Sequence, residues 1–287
     1  MQPDVRLPES FVSLTLPVPA PPLEIATHAV GDQVVSAALR RDAVWEPFET
    51  RLLWDCLAPG SVFADVGANI GYFTLLAAAR VGEEGRVFAF EPDPDNCSLL
   101  RASLRRNGLA QGVAVEQAAL ADTEGEARLY LSEDNFGDHQ VFAAGPARAS
   151  LPIRCLRGDR YFERAGKELD LLKVDTQGSE FAVMQGVMPF LVAQRSPTRV
   201  LIELTPWSLR AAGASGRSLI ELLAQLALPF WIVDHVAHRL VLSSAEELAQ
   251  WCDNVDSVAH DQGFMNIFLG AAPAGWGSGD VLHPPAA

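Results

Sequence analysis

Val62–Glu91 reads VFADVGANIGYFTLLAAARVGEEGRVFAFE, and this stretch decides the fold. A five-residue apolar run, Val62–Val66, leads into a glycine-bearing turn and then an apolar segment of helical length, Tyr72–Val81. A second apolar run, Arg86–Phe90, follows and ends at Glu91. Strand, turn, helix and strand in that order form the opening unit of a parallel sheet with helices packed on its faces. In such sheets ligands bind at the carboxyl ends of the strands. Gly67 permits a tight turn with close backbone approach, Gly71 lets the next helix begin nearby, and free amides at that helix start favour an anion. Glu91, twenty residues beyond Gly71, stands where a carboxylate accepts hydrogen bonds from both hydroxyls of a ribose.

The turn discriminates between nucleotides. A dinucleotide fingerprint starting at Gly67 requires glycine at positions 69 and 72, where this chain has Asn69 and Tyr72. The glycine missing at 69 is the one that admits a pyrophosphate to the backbone. Asp65 beside the turn repels a pyrophosphate and suits an ammonium or a sulfonium. A nucleoside carrying a cationic amino acid therefore fits better than NAD, and an NAD-dependent oxidoreductase is the alternative from another enzyme class. A non-catalytic scaffold would show loss of Asp65, Gly67 or Glu91, and none is lost.

Outward from this segment the same rhythm continues. Pro94–Asn107, Glu180–Leu191, Ser218–Leu226 and Ala245–Trp251 read as helices, with shorter ones at Asp32–Arg41 and Pro47–Leu57. Leu23–His28, Val113–Gln117, Glu126–Leu131, Leu169–Val174, Arg199–Leu204, Pro229–Asp234 and Phe264–Gly270 read as strands. Ser132–Arg148 is polar and glycine-containing, an expected active-site loop. Residues 1–22 hold six prolines, which discourages regular structure. We expect an N-terminal extension over 1–44, a catalytic domain over 45–270 and a flexible tail over 271–287.

Composition narrows the partners. The chain of 287 residues is 49% hydrophobic, enough for one large α/β core, and its net charge of −14 disfavours nucleic acid. Cys56, Cys97, Cys155 and Cys252 have neither paired nor metal-ligand spacing, which points to a reduced, cytoplasmic protein. No apolar run reaches membrane-span length and no signal peptide opens the chain, so no membrane association is expected. Lysine occurs only at 167 and 173 amid abundant arginine and alanine, a GC-rich coding bias that fits a bacterial source. A homo-oligomer is compatible with all of this.

Several stretches together resemble the FkbM family of S-adenosylmethionine-dependent methyltransferases. They are Trp45-Glu46-Pro47, DVGANIGYFTLLAA (65–78), FEPDPDN (90–96), VEQAALADTEG (115–125), FGDH (136–139), LLKVDTQGSE (171–180) and LIEL (201–204). They span about residues 45–205; the first 44 carry little of the signal and the last 80 match less distinctly. The resemblance implies a Rossmann-like class I methyltransferase fold, a mostly parallel seven-stranded sheet with a reversed final strand and helices on both faces. It implies S-adenosyl-L-methionine as cofactor and methyl transfer to a hydroxyl of a small-molecule natural product or a sugar. Asp65, Gly67, Asn69 and Gly71 would surround the methionine moiety, Glu91 the ribose, and residues of Gln117–Asp122, Ala119 and Asp122 among them, the adenine. In the family's DxEGxE-like motif the residue before glycine is acidic; here it is Gln177, with Asp175 and Glu180 kept.

A hydroxyl acceptor benefits from a general base. His139, in a loop beside Asp138, is one candidate, since an imidazole titrates near neutrality. Asp175 closes the fourth strand of the series at the reactive rim, where it would orient the acceptor or take its proton; capping the next helix is its plain alternative. Glu203 ends the fifth strand near Trp207 and would bound the acceptor pocket. No metal is expected, because these residues do not supply a dedicated oxygen set. His235 and His238 read as turn residues. N-methylation of an amine, guanidine or peptide competes with O-methylation, since the same carboxylates would clamp an amine. The acceptor pocket is expected from residues 1–44, 132–150 and 205–217.

Overall fold

A computed structural model describes residues 10–142, 148–258 and 260–276. Near the N-terminus, β1 (Ser10–Ser13) pairs antiparallel with β2 (Glu24–Thr27), and helix α1 (Val35–Asp42) follows. The strand expected at Leu23–His28 is β2, whereas β1 interrupts a proline-rich stretch expected to lack regular structure. Its pairing is short, and four of the six prolines fall in the connection after it. Residues 1–9 lie outside the described residues.

Helix α2 (Pro47–Cys56) leads to the unit read first in the sequence: β3 (Val62–Val66), α3 (Tyr72–Val81) and β4 (Arg86–Phe90), with the expected limits. Then come α4 (Pro94–Arg106) and β5 (Val113–Glu116). Asp93 caps α4, its carboxylate accepting from the amides of Asp95 and Asn96, and Pro94 takes the first helical position. The chain next forms a small side sheet of β6 (Ala119–Ala121), β7 (Gly125–Tyr130) and β8 (Ser150–Arg157), in the order β6-β8-β7. Strand β8 was not anticipated, because Pro152 argues against a strand. β6 reaches only Cys155–Arg157, so Pro152 lies where β8 has a neighbour on one side alone.

The remaining elements are α5 (Gly158–Ala165), β9 (Leu171–Val174), α6 (Glu180–Ala193), β10 (Arg199–Leu204), α7 (Pro206–Ala211), α8 (Gly216–Leu223), β11 (Phe230–Asp234), β12 (Arg239–Ser243), α9 (Ala245–Ser257) and β13 (Met265–Leu269). Helices α5 and α7 and strands β6 and β12 are elements beyond those read from the sequence.

The main sheet has the order β12-β11-β13-β10-β9-β3-β4-β5. β3, β4, β5, β9 and β10 run parallel, and the last strand, β13, is reversed between β10 and β11. This is the class I methyltransferase arrangement. An eighth strand, β12, hairpins onto the outer edge of the expected seven. Phe63, Leu171, Leu201 and Phe268 point to one face, toward α2, α3 and α4. Ala64, Leu172, Ile202 and Ile267 point to the other, toward α6, α8 and α9. Covering both faces explains why the strands are nearly all apolar. Among the described residues no helix is long and apolar enough to cross a membrane.

The loose tail expected from Ala271 does not begin there. Trp276 is buried at 2% exposure, packs 5.0 Å from the ring of Phe48 and donates its indole N–H to Asp55 at 2.9 Å. The remainder of that expected tail, 277–287, lies outside the described residues. Truncating a buried aromatic costs roughly 3–5 kcal/mol. Trp276→Ala is therefore expected to lower the thermal midpoint by on the order of 10 °C in a calorimetric scan; an unchanged midpoint would show that this anchor carries no stability.

Candidate active site

The turn after β3 is built by close approach. Gly67 has φ of 82°, and a Cβ placed on it would lie 1.7 Å from the carbonyl oxygen of Asp175, so only glycine lets β3 and β9 converge here. Asn69 also takes a left-handed backbone (φ 51°), which asparagine tolerates better than most residues. All five amides from Gly67 to Gly71 are taken by the protein. Gly67 and Ala68 donate to the carbonyl of Phe90, Asn69 to Glu91 Oε2 at 2.8 Å, Ile70 to the Asn69 side chain, and Gly71 to the carbonyl of Ala68. The amides of Gly67–Gly71 are thus committed to the protein, and those at the start of α3, from Tyr72 to Thr74, precede the first intrahelical bond, from the Leu75 amide to the Gly71 carbonyl.

Around the turn lies a cleft of about 380 Å³, within the range of small-molecule sites. Of the cofactor residues expected from sequence, Gly67, Asn69, Glu91 and Ala119 line it, with Leu120 and Leu129 beside Ala119. Asp65, Gly71 and Asp122 do not. Gly71 serves packing instead, since a Cβ there would meet Leu100 Cγ at 2.5 Å. Asp122 offers its backbone carbonyl to Arg157, beyond the cleft. Asp65 corrects the expectation most sharply. Its side chain is buried beneath α3, accepts from Thr74 Oγ1 at 2.6 Å, and pairs in register across the strands with Lys173. The cation it faces is this chain's own lysine. Burial raises the Asp65 pKa, and Lys173 and Thr74 act against that rise.

Glu91 spans two turns, accepting from the Asn69 amide through Oε2 and from the Asp93 amide through Oε1 at 2.9 Å. Each oxygen keeps a second lone pair for a ligand. Burial pushes its pKa up to about 7, partly offset by those amides.

The opposite end of the cleft is acidic. Lys173 bridges to Asp175 at 3.0 Å and lies 4.8 Å from the Phe73 ring. Burial opposes its charge, yet Asp175, Asp65 and Glu46 together hold its pKa above the ordinary lysine range. Burial acts on Asp175 in the opposite sense to Lys173 and Gln177, which hold it below the usual carboxylate range. Gln177, left-handed at φ 54°, donates its amide to Asp175 Oδ1 and Glu203 Oε2, both at 2.8 Å. A neutral donor where an acidic residue was expected thus links two carboxylates that would otherwise repel. Glu180 is buried beneath, accepting from the amides of Thr176 and Gly178 and so shaping the turn that carries Gln177. Burial, with Asp175, Glu180 and Glu46 nearby, raises the pKa of Glu203 well above its ordinary value.

Asp175, Glu203 and His139 all line the cleft. His139 is placed poorly for a base. Its Nδ1 accepts from the Ser132 amide at 3.0 Å, so the neutral ring carries its proton on Nε2, 3.9 Å from Asp93. Burial lowers its pKa, and Asp93 and Asp138 oppose that. The loop bearing His139 is clamped to the N-terminal segment: Gln33 donates to the carbonyl of Asp134, and Phe136 packs edge-on against His28 at 4.8 Å. Residues 143–147 of the expected loop lie outside the described residues.

The acceptor pocket expected from 1–44, 132–150 and 205–217 is met by Val34, Val35, Asn135, Phe136, Gly137, His139 and Val141. The third segment contributes none of the lining, Trp207 included; Phe264, just before the reversed strand, lies there instead. Sequence reading also passed over Glu46 and Lys173. Both fall inside quoted motifs, and the signal available was the scarcity of lysine and a charged residue before Pro47. Among the described residues no cluster of three or more His, Cys, Asp or Glu is arranged to hold a metal, and all four cysteines are free and buried. Gly67→Ala, with no room for its methyl group, is expected to lower the thermal midpoint and abolish nucleoside binding together; a variant with native stability would contradict the close approach.

The methyltransferase FkbM domain profile matches residues 65–243, well over half of the chain. Methyltransferase sdnD of Sordaria araneosa is 26% identical over 153 residues, 43% of this chain and 59% of that protein. The 31-O-demethyl-FK506 methyltransferase FkbM of Streptomyces tacrolimicus is 42% identical over 79 residues, 27% of this chain and 29% of that one. The chain thus spans less than two thirds of either relative. Among solved structures, methyltransferase FkbM of Methylobacillus flagellatus superposes with a TM-score of 0.45 at 13% identity, covering 74% of this chain and 44% of that one. An O-methyltransferase of Thermotoga maritima does so at 0.42 and 14%, covering 82% and 70%. On the profile match, this chain belongs to the FkbM methyltransferase domain family.

Proposed function

We propose that the chain methylates a hydroxyl of a small natural product or sugar with S-adenosylmethionine as donor. The observation that carries this reading is Glu91, a carboxylate with both oxygens held by backbone amides at the end of β4, beside a turn with no amide left for phosphate. That combination suits a ribose better than a pyrophosphate, and the acidic far end suits a cation. The residues present therefore fit the cofactor, with Ala119, Leu120 and Leu129 as an apolar seat for the base. Gly67 and Asn69 would flank the amino-acid moiety, and Asp175 and Lys173 would bound it.

Bound there, S-adenosylmethionine supplies a methyl on a sulfonium, so transfer to a hydroxyl breaks a C–S bond, forms a C–O bond and frees one proton. Glu203 is the residue we expect to take that proton. It lines the cleft, Gln177 fixes one of its oxygens, and its raised pKa gives it the basicity that Asp175, committed to Lys173 and Gln177, lacks. His139, a donor through Nε2, would orient the acceptor. An amine acceptor is the second reading, favoured by the concentration of carboxylates at this end.

Calorimetric titration tests the cofactor. S-adenosylmethionine is expected to bind and NAD to give no heat, and Glu91→Ala should weaken binding on the order of 100-fold through loss of charge-assisted hydrogen bonds. Binding of NAD alone would overturn the reading. A methylation screen against sugars, macrolides and peptides tests the base. With any acceptor found, Glu203→Gln should lower turnover by roughly 10²–10⁴-fold, and His139→Ala by less. The reverse ranking would return the base role to His139.

A further inference from the structure

Glu46 opens α2 in a strained conformation, φ 40° and ψ 67°, that a residue with a Cβ rarely adopts. Pro47 follows at the first helical position, so the chain enters the helix directly from this strained residue. The position is a helix N-cap, yet the side chain does not cap the helix. It lines the main cleft and also a small adjoining chamber bounded by Glu49, Lys173, Asp175, Glu203 and Asn266. No hydrogen-bond donor among the described residues holds its carboxyl group, and the cation nearby, Lys173, is paired with Asp175. Strain retained without a cap or an ion pair marks a side chain placed for something that enters the cleft.

The order of the strands says which part of a ligand it meets. Along the carboxyl edge the sequence of ends is β10, β9, β3, β4, so Glu203, Asp175, Gly67 and Glu91 succeed one another. Neighbouring strands are about 4.8 Å apart, which puts the β9 end roughly 10 Å from the β4 end. Glu46 shares its chamber with the residues of β9 and β10, on the far side of the turn from Glu91. A nucleoside held by its ribose at Glu91 and extended across Gly67 brings its amino-acid end to Glu46.

We infer that Glu46 is a specificity-determining binding residue whose carboxylate complements the α-ammonium of the cofactor's amino-acid end; this rests on the cofactor reading above. The groups facing it are Glu49 on its own helix, Tyr72 on α3, Lys173 and Asp175 from β9, and Glu203 from β10, with Asp65 of β3 acting on the same lysine. One lysine among five carboxyl groups leaves negative charge to be neutralised by protons or by a ligand. Burial, with Glu49 adding to it, pushes the Glu46 pKa up to about 8, so the empty cleft holds a proton there at neutral pH. An arriving cation favours the carboxylate, and the proton leaves for solvent. Affinity for the cofactor therefore rises with pH as Glu46 ionises, up to about pH 8, where the cofactor's own α-ammonium begins to lose its proton.

The test is calorimetry of S-adenosylmethionine binding to the full chain in buffers of different ionisation enthalpy, whose slope counts protons released. Near neutral pH the wild type should release roughly one proton more than Glu46→Gln. Glu46→Gln should also bind on the order of 10-fold more weakly near pH 8. Glu203→Gln should keep the Glu46 proton. Glu46→Asp, which retains the acid, should restore the release and guards against a fold lost in the amide variant, as thermal unfolding of each will report. Equal release by wild type and Glu46→Gln, or loss confined to Glu203→Gln, would overturn the inference while leaving the cofactor reading intact. Absence of any S-adenosylmethionine binding would overturn both.

Discussion

Lys173 enters the sheet from β9 in register with Asp65 of β3, bridges Asp175 at 3.0 Å and lies against the ring of Phe73, and the arrangement of the whole acidic end of the cleft follows from that one buried cation. Asp65 has one oxygen without a hydrogen-bond partner, and its burial is offset by the lysine together with the Thr74 hydroxyl on its other oxygen. Asp175 stays ionised because of the same charge, and an ionised Asp175 in turn, with burial, raises the proton affinity of Glu203 above that of an exposed carboxylate. Gln177 completes the set with a neutral bridge. Removing one partner of such a buried pair typically costs about 3–5 kcal/mol. The acidic end is therefore a balance of charges around one ammonium group.

The other end depends on hydrogen bonding instead. Every amide of the β3–α3 turn is occupied by protein, and Glu91 is held by two of its neighbours' amides, so the turn is shaped before any ligand arrives. Such preorganisation lowers the cost of binding. The clamp of residues 28–36 on the loop carrying Phe136 and His139 closes the cleft above. The N-terminal extension thus helps enclose the site, although it carries little of the family signal.

Much of the fold was legible because the central strands are buried on both faces. Val62–Val66, Arg86–Phe90 and Arg199–Leu204 were bounded correctly from apolar runs alone, and the spacing of Gly67 and Glu91 put both on one cleft. Short elements escaped, as did β8, whose proline is excused by the limited reach of β6. In the site, residues whose role depends on local chain geometry were readable, and those whose role depends on which strands lie side by side were not. Asp65 looked like a ligand for a cation because its cross-strand neighbour Lys173 is over a hundred positions away. His139 looked like a base because no sequence pattern reveals that the Ser132 amide occupies its lone pair. Glu46 stood in plain view before Pro47, but its strained backbone and missing partners are properties of the folded chain.

The central claim is an orientation: ribose at Glu91 and amino-acid end at the Lys173–Glu46 side. A crystal structure with S-adenosylhomocysteine tests it most directly. The account predicts both ribose hydroxyls on the Glu91 carboxylate, the adenine against Ala119 and Leu129, and the amino-acid group across Gly67 beside Asp175 and Glu46. A ligand bound in the opposite sense, with its adenine among the carboxylates, or seated outside this cleft, would contradict it.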